Sequence, residues 1–152
     1  DMPREGNVFF GEWAPRKNGT VPDNSTDLNM GSSQRTVWYV GENPTQNMPR
    51  LVNARYNVLG VNQHTPGRND FYTGVLTANY GAGKNELSGS ISRPGDSVNF
   101  ADTKIDHRGT FDNYKANEHI TGRFYGSGAE ALAGIVDRAG VDKDVAFGGR
   151  KQ

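Results

Sequence analysis

The chain has 152 residues, enough for one domain with a real core, and a formal net charge of +0 from 17 basic and 17 acidic residues. That balance argues against non-specific nucleic-acid binding, and no apolar run reaches the length of a membrane helix. Cysteine is absent, which excludes disulfides, thiolate metal sites and cysteine catalysis, while 20 glycines and 34% hydrophobic residues point to a turn-rich β-protein rather than a helical bundle.

Val8 to Ala14 is the first expected strand, ended by Pro15. Residues 16–34 are rich in Asn, Gly, Ser, Thr and Pro and read as a long exposed loop, and Thr36 to Gly41 is the second strand. Beyond a polar loop with Pro44 and Pro49, the residues Val52, Ala54, Tyr56, Val58 and Gly60 fall on one face. Asn53, Arg55 and Asn57 fall on the other, the period of a half-buried antiparallel strand. The pattern repeats in Tyr72 to Tyr80 and in Leu87 to Ser92. It repeats again from Ile105 through His107 and Gly109 to Phe111, and in Ile120 to Gly126. Residues 128–132 read as one helical turn, and residues 133–137 and 145–149 as the closing strands. Glycines 60, 74, 89, 109, 122 and 134 recur on the inward register, where small residues let a sheet curl tightly. The expected fold is all-β: an eight-stranded antiparallel up-and-down barrel with long loops, one domain over residues 1–152. The second face carries Asn, Arg, Ser, Thr, Asp and Lys, which fits a soluble barrel rather than one facing lipid.

Little in the chain points to catalysis, and no enzyme is expected. Gly81-Ala82-Gly83-Lys84 lacks the rest of a phosphate loop and reads as a hairpin connection. Asp137 and Asp142-Lys143-Asp144 lack the spacing of a calcium loop and read as a solvated turn. Asn18-Gly19-Thr20 and Asn24-Ser25-Thr26 match glycosylation sequons but read as loop composition. Glu12 and Glu130 are the acids beside aromatic clusters, and Glu130 fits the one-turn helix equally well. Trp13, Trp38 and Tyr39 either line a ligand pocket or serve as core and rim packing, with packing the commoner use. His64, His107 and His119 have no metal-binding spacing. His64 lies in a loop, and His107 sits on the inward register as a core or rim histidine.

The order of the last third is the most distinctive feature. Gly122-Arg123-Phe124-Tyr125-Gly126 is followed by Ala129-Glu130-Ala131-Leu132-Ala133-Gly134-Ile135-Val136 and then by Val145-Ala146-Phe147-Gly148-Gly149-Arg150-Lys151. With Val8 to Trp13 and Ala54 to Asn62, this resembles the C-terminal β-barrel of the transferrin-binding protein B-like family. That family comprises surface lipoproteins and secreted haemophores of Gram-negative bacteria, many exported by the surface lipoprotein assembly modulator. The resemblance implies a barrel handle recognised by that exporter, at the outer leaflet of the outer membrane or secreted, with a host protein or haem carrier as further partner. It implies a piece lacking signal peptide, lipobox and N-terminal ligand-binding domain, with no cofactor of its own. A haem-carrier alternative makes His64, His107 or His119 an axial ligand, and a second alternative is a lipocalin-like carrier with a ligand inside the barrel.

Overall fold

The computed structural model describes residues 6–15, 29–65 and 67–152. Most of the 16–34 loop, both sequons and Pro66 lie outside the described residues. The elements are β1 Val8–Trp13, β2 Thr36–Gly41, β3 Leu51–Val61, β4 Tyr72–Tyr80, β5 Glu86–Arg93, β6 Asp96–Asn99 and β7 Thr103–Ile105. They continue with β8 Thr110–Lys115, β9 Glu118–Tyr125, β10 Ala131–Arg138, a 3-10 turn at Val141–Lys143, and β11 Val145–Lys151. The ring runs β4-β3-β11-β10-β9-β8-β7-β5 and closes through β4–β5 pairing, an eight-stranded antiparallel barrel of neighbouring strands. The first and last strands of the ring in chain order, β3 and β11, pair side by side, with Phe147 opposite Gly60 and Arg150 opposite Asn57.

The barrel interior is solid. Tyr56, Leu76, Phe111 and Phe124 are 0–3% exposed and meet Leu87, Ile91, Phe100, Leu132 and Phe147 in one cluster. Phe124 packs against Tyr56 at 5.6 Å and edge-on to Phe111 at 5.5 Å between ring centroids. Gly122 makes room for this, because a Cβ there would come within 2.6 Å of the Phe111 ring. A ligand chamber of the lipocalin kind is therefore ruled out: the aromatic side chains occupy the space a ligand would need.

Five expectations are corrected. First, β1 and β2 are outside the barrel. Among the described residues they pair only with each other, as a two-stranded ribbon laid over β10 and β11. Second, Val52 faces out and Leu51 in, because a bulge between Leu51 and Ala54, with Asn53 at φ 53°, shifts the register of β3. Third, the strand expected over 105–111 is broken by a turn at Asp106 to Gly109, with Gly109 at φ 90°. His107 is thus thrown outward, its side chain 67% exposed. Fourth, residues 128–132 form no helix. Ala129, at φ 59°, turns the chain into β10, and among the described residues the helical turn lies at Val141–Lys143. Fifth, β6 was not anticipated. Pro94-Gly95 makes a two-residue hairpin, and β6 and β7 share the same edge of β5, β6 at one end and β7 at the other. Between β6 and β8 the wall is bridged by side chains: Asn113 Nδ2 donates to the Ala101 carbonyl at 2.8 Å and Lys115 Nζ to that of Asn99 at 3.2 Å.

Candidate functional site

The ribbon sits where the barrel wall is flat. Ala131, Ala133 and Ala146, with Gly148, are fully buried beneath it. The Phe10 ring stands 2.6 Å from where a Gly148 Cβ would lie. Val8 and Tyr39 pack on Tyr125, Ala131 and Ala133. The Ala-rich run that reads as helix-forming is instead this seat, its small side chains turned outward so that a second layer can approach.

One end of the ribbon is bolted down by a buried ion pair. Arg35 is 3% exposed. Its Nε donates to Glu12 Oε1 at 2.8 Å, and its terminal nitrogens donate to the carbonyls of Val141 at 2.9 Å and Asp144 at 3.0 Å. Glu12 in turn accepts from the backbone amides of Gln63 and His64, the latter at 2.9 Å. One carboxylate and one guanidinium thus join the ribbon to the β3–β4 and β10–β11 connections. Glu12 is a structural anchor and not half of an acid pair. Glu130 likewise serves its own turn, accepting from the Gly128 amide at 3.0 Å.

The same rim carries a second network. Arg93 donates to Asn62 at 2.7 Å and lies 4.6 Å over the Tyr72 ring. Arg138 bonds Asp96 at 2.6 Å, Glu118 at 3.0 Å and the Ser97 carbonyl at 2.9 Å. Burial pushes the Tyr72 hydroxyl up to about 12, helped by its bond to Asp96. For Asp96 burial raises the pKa, but the bonds from Arg138 and Tyr72 outweigh it and hold the carboxyl below its usual value. A lowered folded pKa contributes stability above the unfolded value and loses it as pH falls through the folded one. The stability difference between the wild type and Asp96→Asn should therefore shrink as pH drops below about 4. Urea midpoints across pH check this, and a difference unchanged down to strong acid would refute the assignment.

The three histidines are not brought together. His64 pairs with Asp70 and stacks on Phe71 at 4.4 Å. His107 lies in its exposed turn beside Asp106. His119, on β9, stacks on Tyr114 at 3.8 Å. Asp142 and Asp144 use their carbonyls to hold the Asn62 amide, each at 2.8 Å, and Asp144 accepts from the Arg138 amide. Among the described residues no cluster of three His, Cys, Asp or Glu could hold a metal ion. Gly81 to Asn85 forms the β4–β5 connection, with the Gly81 amide on Asn85 Oδ1 at 2.9 Å.

What remains is the outer face of the ribbon. Phe9 stands opposite Val40, Gly11 opposite Trp38, and Trp13 opposite Thr36. Phe9, Trp13 and Val40 are each just over half exposed, and Trp38 is 42% exposed. Two tryptophans, a phenylalanine and a valine on one face are more than scattered surface apolar residues, and large aromatics are the side chains that anchor protein interfaces. Tyr39 packs on the barrel wall, whereas Trp38 lies across Gly11 on the outer face of the ribbon and Trp13 stands beside it, more than half exposed. Alternation in β1 and β2 contained this signal, since both faces are apolar. A barrel strand with one wet face would not need that.

The geometry defines a closed, solid antiparallel barrel carrying an external aromatic ribbon. The family model for the HphA C-terminal domain matches residues 46–151, and the chain belongs to that family. Among solved structures it is similar to transferrin-binding protein B, a vaccine antigen of Haemophilus parasuis Hp5, crystallised as a tryptophan-to-alanine mutant. The TM-score is 0.54 at 18% identity, and the match covers 95% of this chain and 33% of that one. The chain thus spans about a third of that protein's length, and at this identity the likeness is one of fold.

Proposed function

We propose that this is a non-catalytic barrel domain of a bacterial surface-exposed or secreted protein. The barrel is the handle recognised by an outer-membrane exporter of the surface lipoprotein assembly modulator type, and it carries a region that meets a host protein or nutrient. The observation that carries the reading is the family match over residues 46–151, which spans every strand of the ring. The solid interior supports it, because a domain with no room inside works through its surface. The exposed aromatic ribbon supplies such a surface. In this reading the domain holds no haem of its own: each histidine has its own ring or carboxylate neighbour on a different element.

Co-expression in a Gram-negative host tests the proposal. A reporter fused to this domain should reach the cell surface or medium only when a matching exporter is present. Deleting Val145 to Gln152 removes β11, leaves the edges of β3 and β10 unpaired, and should abolish that export. Haem titrated into the isolated domain should give no Soret shift. Exporter-independent release, or a saturating Soret band, would overturn the reading.

A further inference from the structure

A groove of about 480 Å³ lies between Tyr39 of β2 and the outer wall of β7, β8 and β9, a volume that small-molecule sites commonly have. Thr110, Asp112 and Thr121 form its floor. The ladder sets them side by side. Asp112 stands opposite Thr121, and Thr110 is two residues away on the same face of β8. Lys104 and Asp106 make the far rim. Tyr39 is the near wall, held in place by packing on Tyr125, Ala131 and Ala133. The Glu42 amide donates to the Asn7 carbonyl at 2.9 Å, and hydrogen-bonded pairs alternate along an antiparallel ladder. The N–H and C=O of Tyr39 therefore turn away from β1, toward the groove.

Most charges around the groove are already spent. Lys104 Nζ donates to Glu86 at 2.9 Å. Asp106 Oδ1 accepts from the Arg108 amide at 2.8 Å and lies 3.2 Å from His107 Nδ1. Asp112 is different. Its register neighbour Lys104 turns to Glu86, and among the described residues the Asp112 carboxylate has no hydrogen bond or ion pair. The hydroxyls of Thr110 and Thr121 have none either. Three polar side chains thus converge on one groove with their bonding capacity unused. Opposite Thr110 stands Arg123, which donates to the carbonyls of Thr45 at 2.9 Å and Arg108 at 3.0 Å and meets no carboxylate. Its buried Nε has no partner. The open carboxylate and this guanidinium offset each other, so the surroundings favour an uncharged ligand.

We propose that this groove binds a neutral saccharide, a hexose or a short chain of hexoses. The site asks for hydroxyl donors to a carboxylate, hydrogen bonds to two threonines, and an apolar face against an aromatic ring. A sugar ring has all three. Adjacent hydroxyls reach the two oxygens of Asp112, a charge-assisted and therefore strong contact. Further hydroxyls meet Thr110 and Thr121, which can donate or accept. The C–H face rests on Tyr39. A lysine or arginine side chain would satisfy Asp112, but it would leave both threonines unused and be repelled by Arg123. A divalent cation finds too few ligands, because among the described residues no group of three metal-binding side chains occurs. The site does not depend on the export reading.

The test titrates the isotope-labelled chain with lactose, maltose, cellobiose and N,N′-diacetylchitobiose and follows the amide chemical shifts. At least one sugar should bind saturably in the millimolar range and move the amides of Tyr39, Asp112 and Thr121. Asp112→Ala should weaken that binding about tenfold or more, and Thr121→Val about threefold or more, with the thermal midpoint unchanged. Asp112→Asn keeps an acceptor oxygen and should bind better than Asp112→Ala. Ser90→Ala, on the outer face of β5, should change nothing. Methylguanidinium stands in for a cationic side chain and should neither bind saturably nor displace the sugar. The proposal is overturned if none of the sugars saturates, or if binding is indifferent to Asp112→Ala and Thr121→Val. Saturable methylguanidinium binding that disappears in Asp112→Asn would also overturn it and assign the groove to a partner's cationic side chain.

Discussion

Replacing Phe124 by alanine should cost about 3–5 kcal/mol, a large share of the stability of a domain this size. The ring is fully buried and touches Tyr56 and Phe111, so its loss opens a cavity at the centre of a closed barrel. Strands tied into a ring cannot move inward independently, which limits collapse of the void. Ser90→Ala, on the exposed face of β5, should cost under about 0.5 kcal/mol. Urea melts of the two variants compare them directly, and equal losses would show that the inward register is misassigned.

The second large effect is expected at Arg35, and it should be local. Arg35→Ala leaves the Glu12 carboxylate buried with only the Gln63 and His64 amides. Breaking one partner of a buried pair costs about 3–5 kcal/mol. The ribbon has no ladder to the barrel, so it is free to open as a unit. Hydrogen exchange should show the amides of β1 and β2 losing protection while β3, β4 and β9 to β11 keep theirs. Glu12→Gln combined with Arg35→Met should recover part of the loss, because no unpaired charge is then left inside. Equal loss of protection in the barrel strands would show that the ribbon is part of the barrel's cooperative unit.

The sequence by itself determined the class of fold and most of its core. Period-two alternation in β3, β4, β5 and β9 marks which side chains go in, because a pleated strand must send alternate residues to opposite faces. Tyr56, Leu76, Phe111 and Phe124 were legible for that reason. Alternation says nothing of which strand a strand pairs with. Only the tertiary structure placed β1 and β2 outside the ring, since their apolar inner face matches a wall made flat by Ala131, Ala133 and Gly148, residues far away in the chain. Only the structure turned His107 outward: a left-handed Gly109 breaks the alternation without changing the order of residue types. The anchor of Arg35 and Glu12 was equally beyond the sequence. A buried ion pair is defined by which segments meet, and residue spacing along the chain carries no record of that.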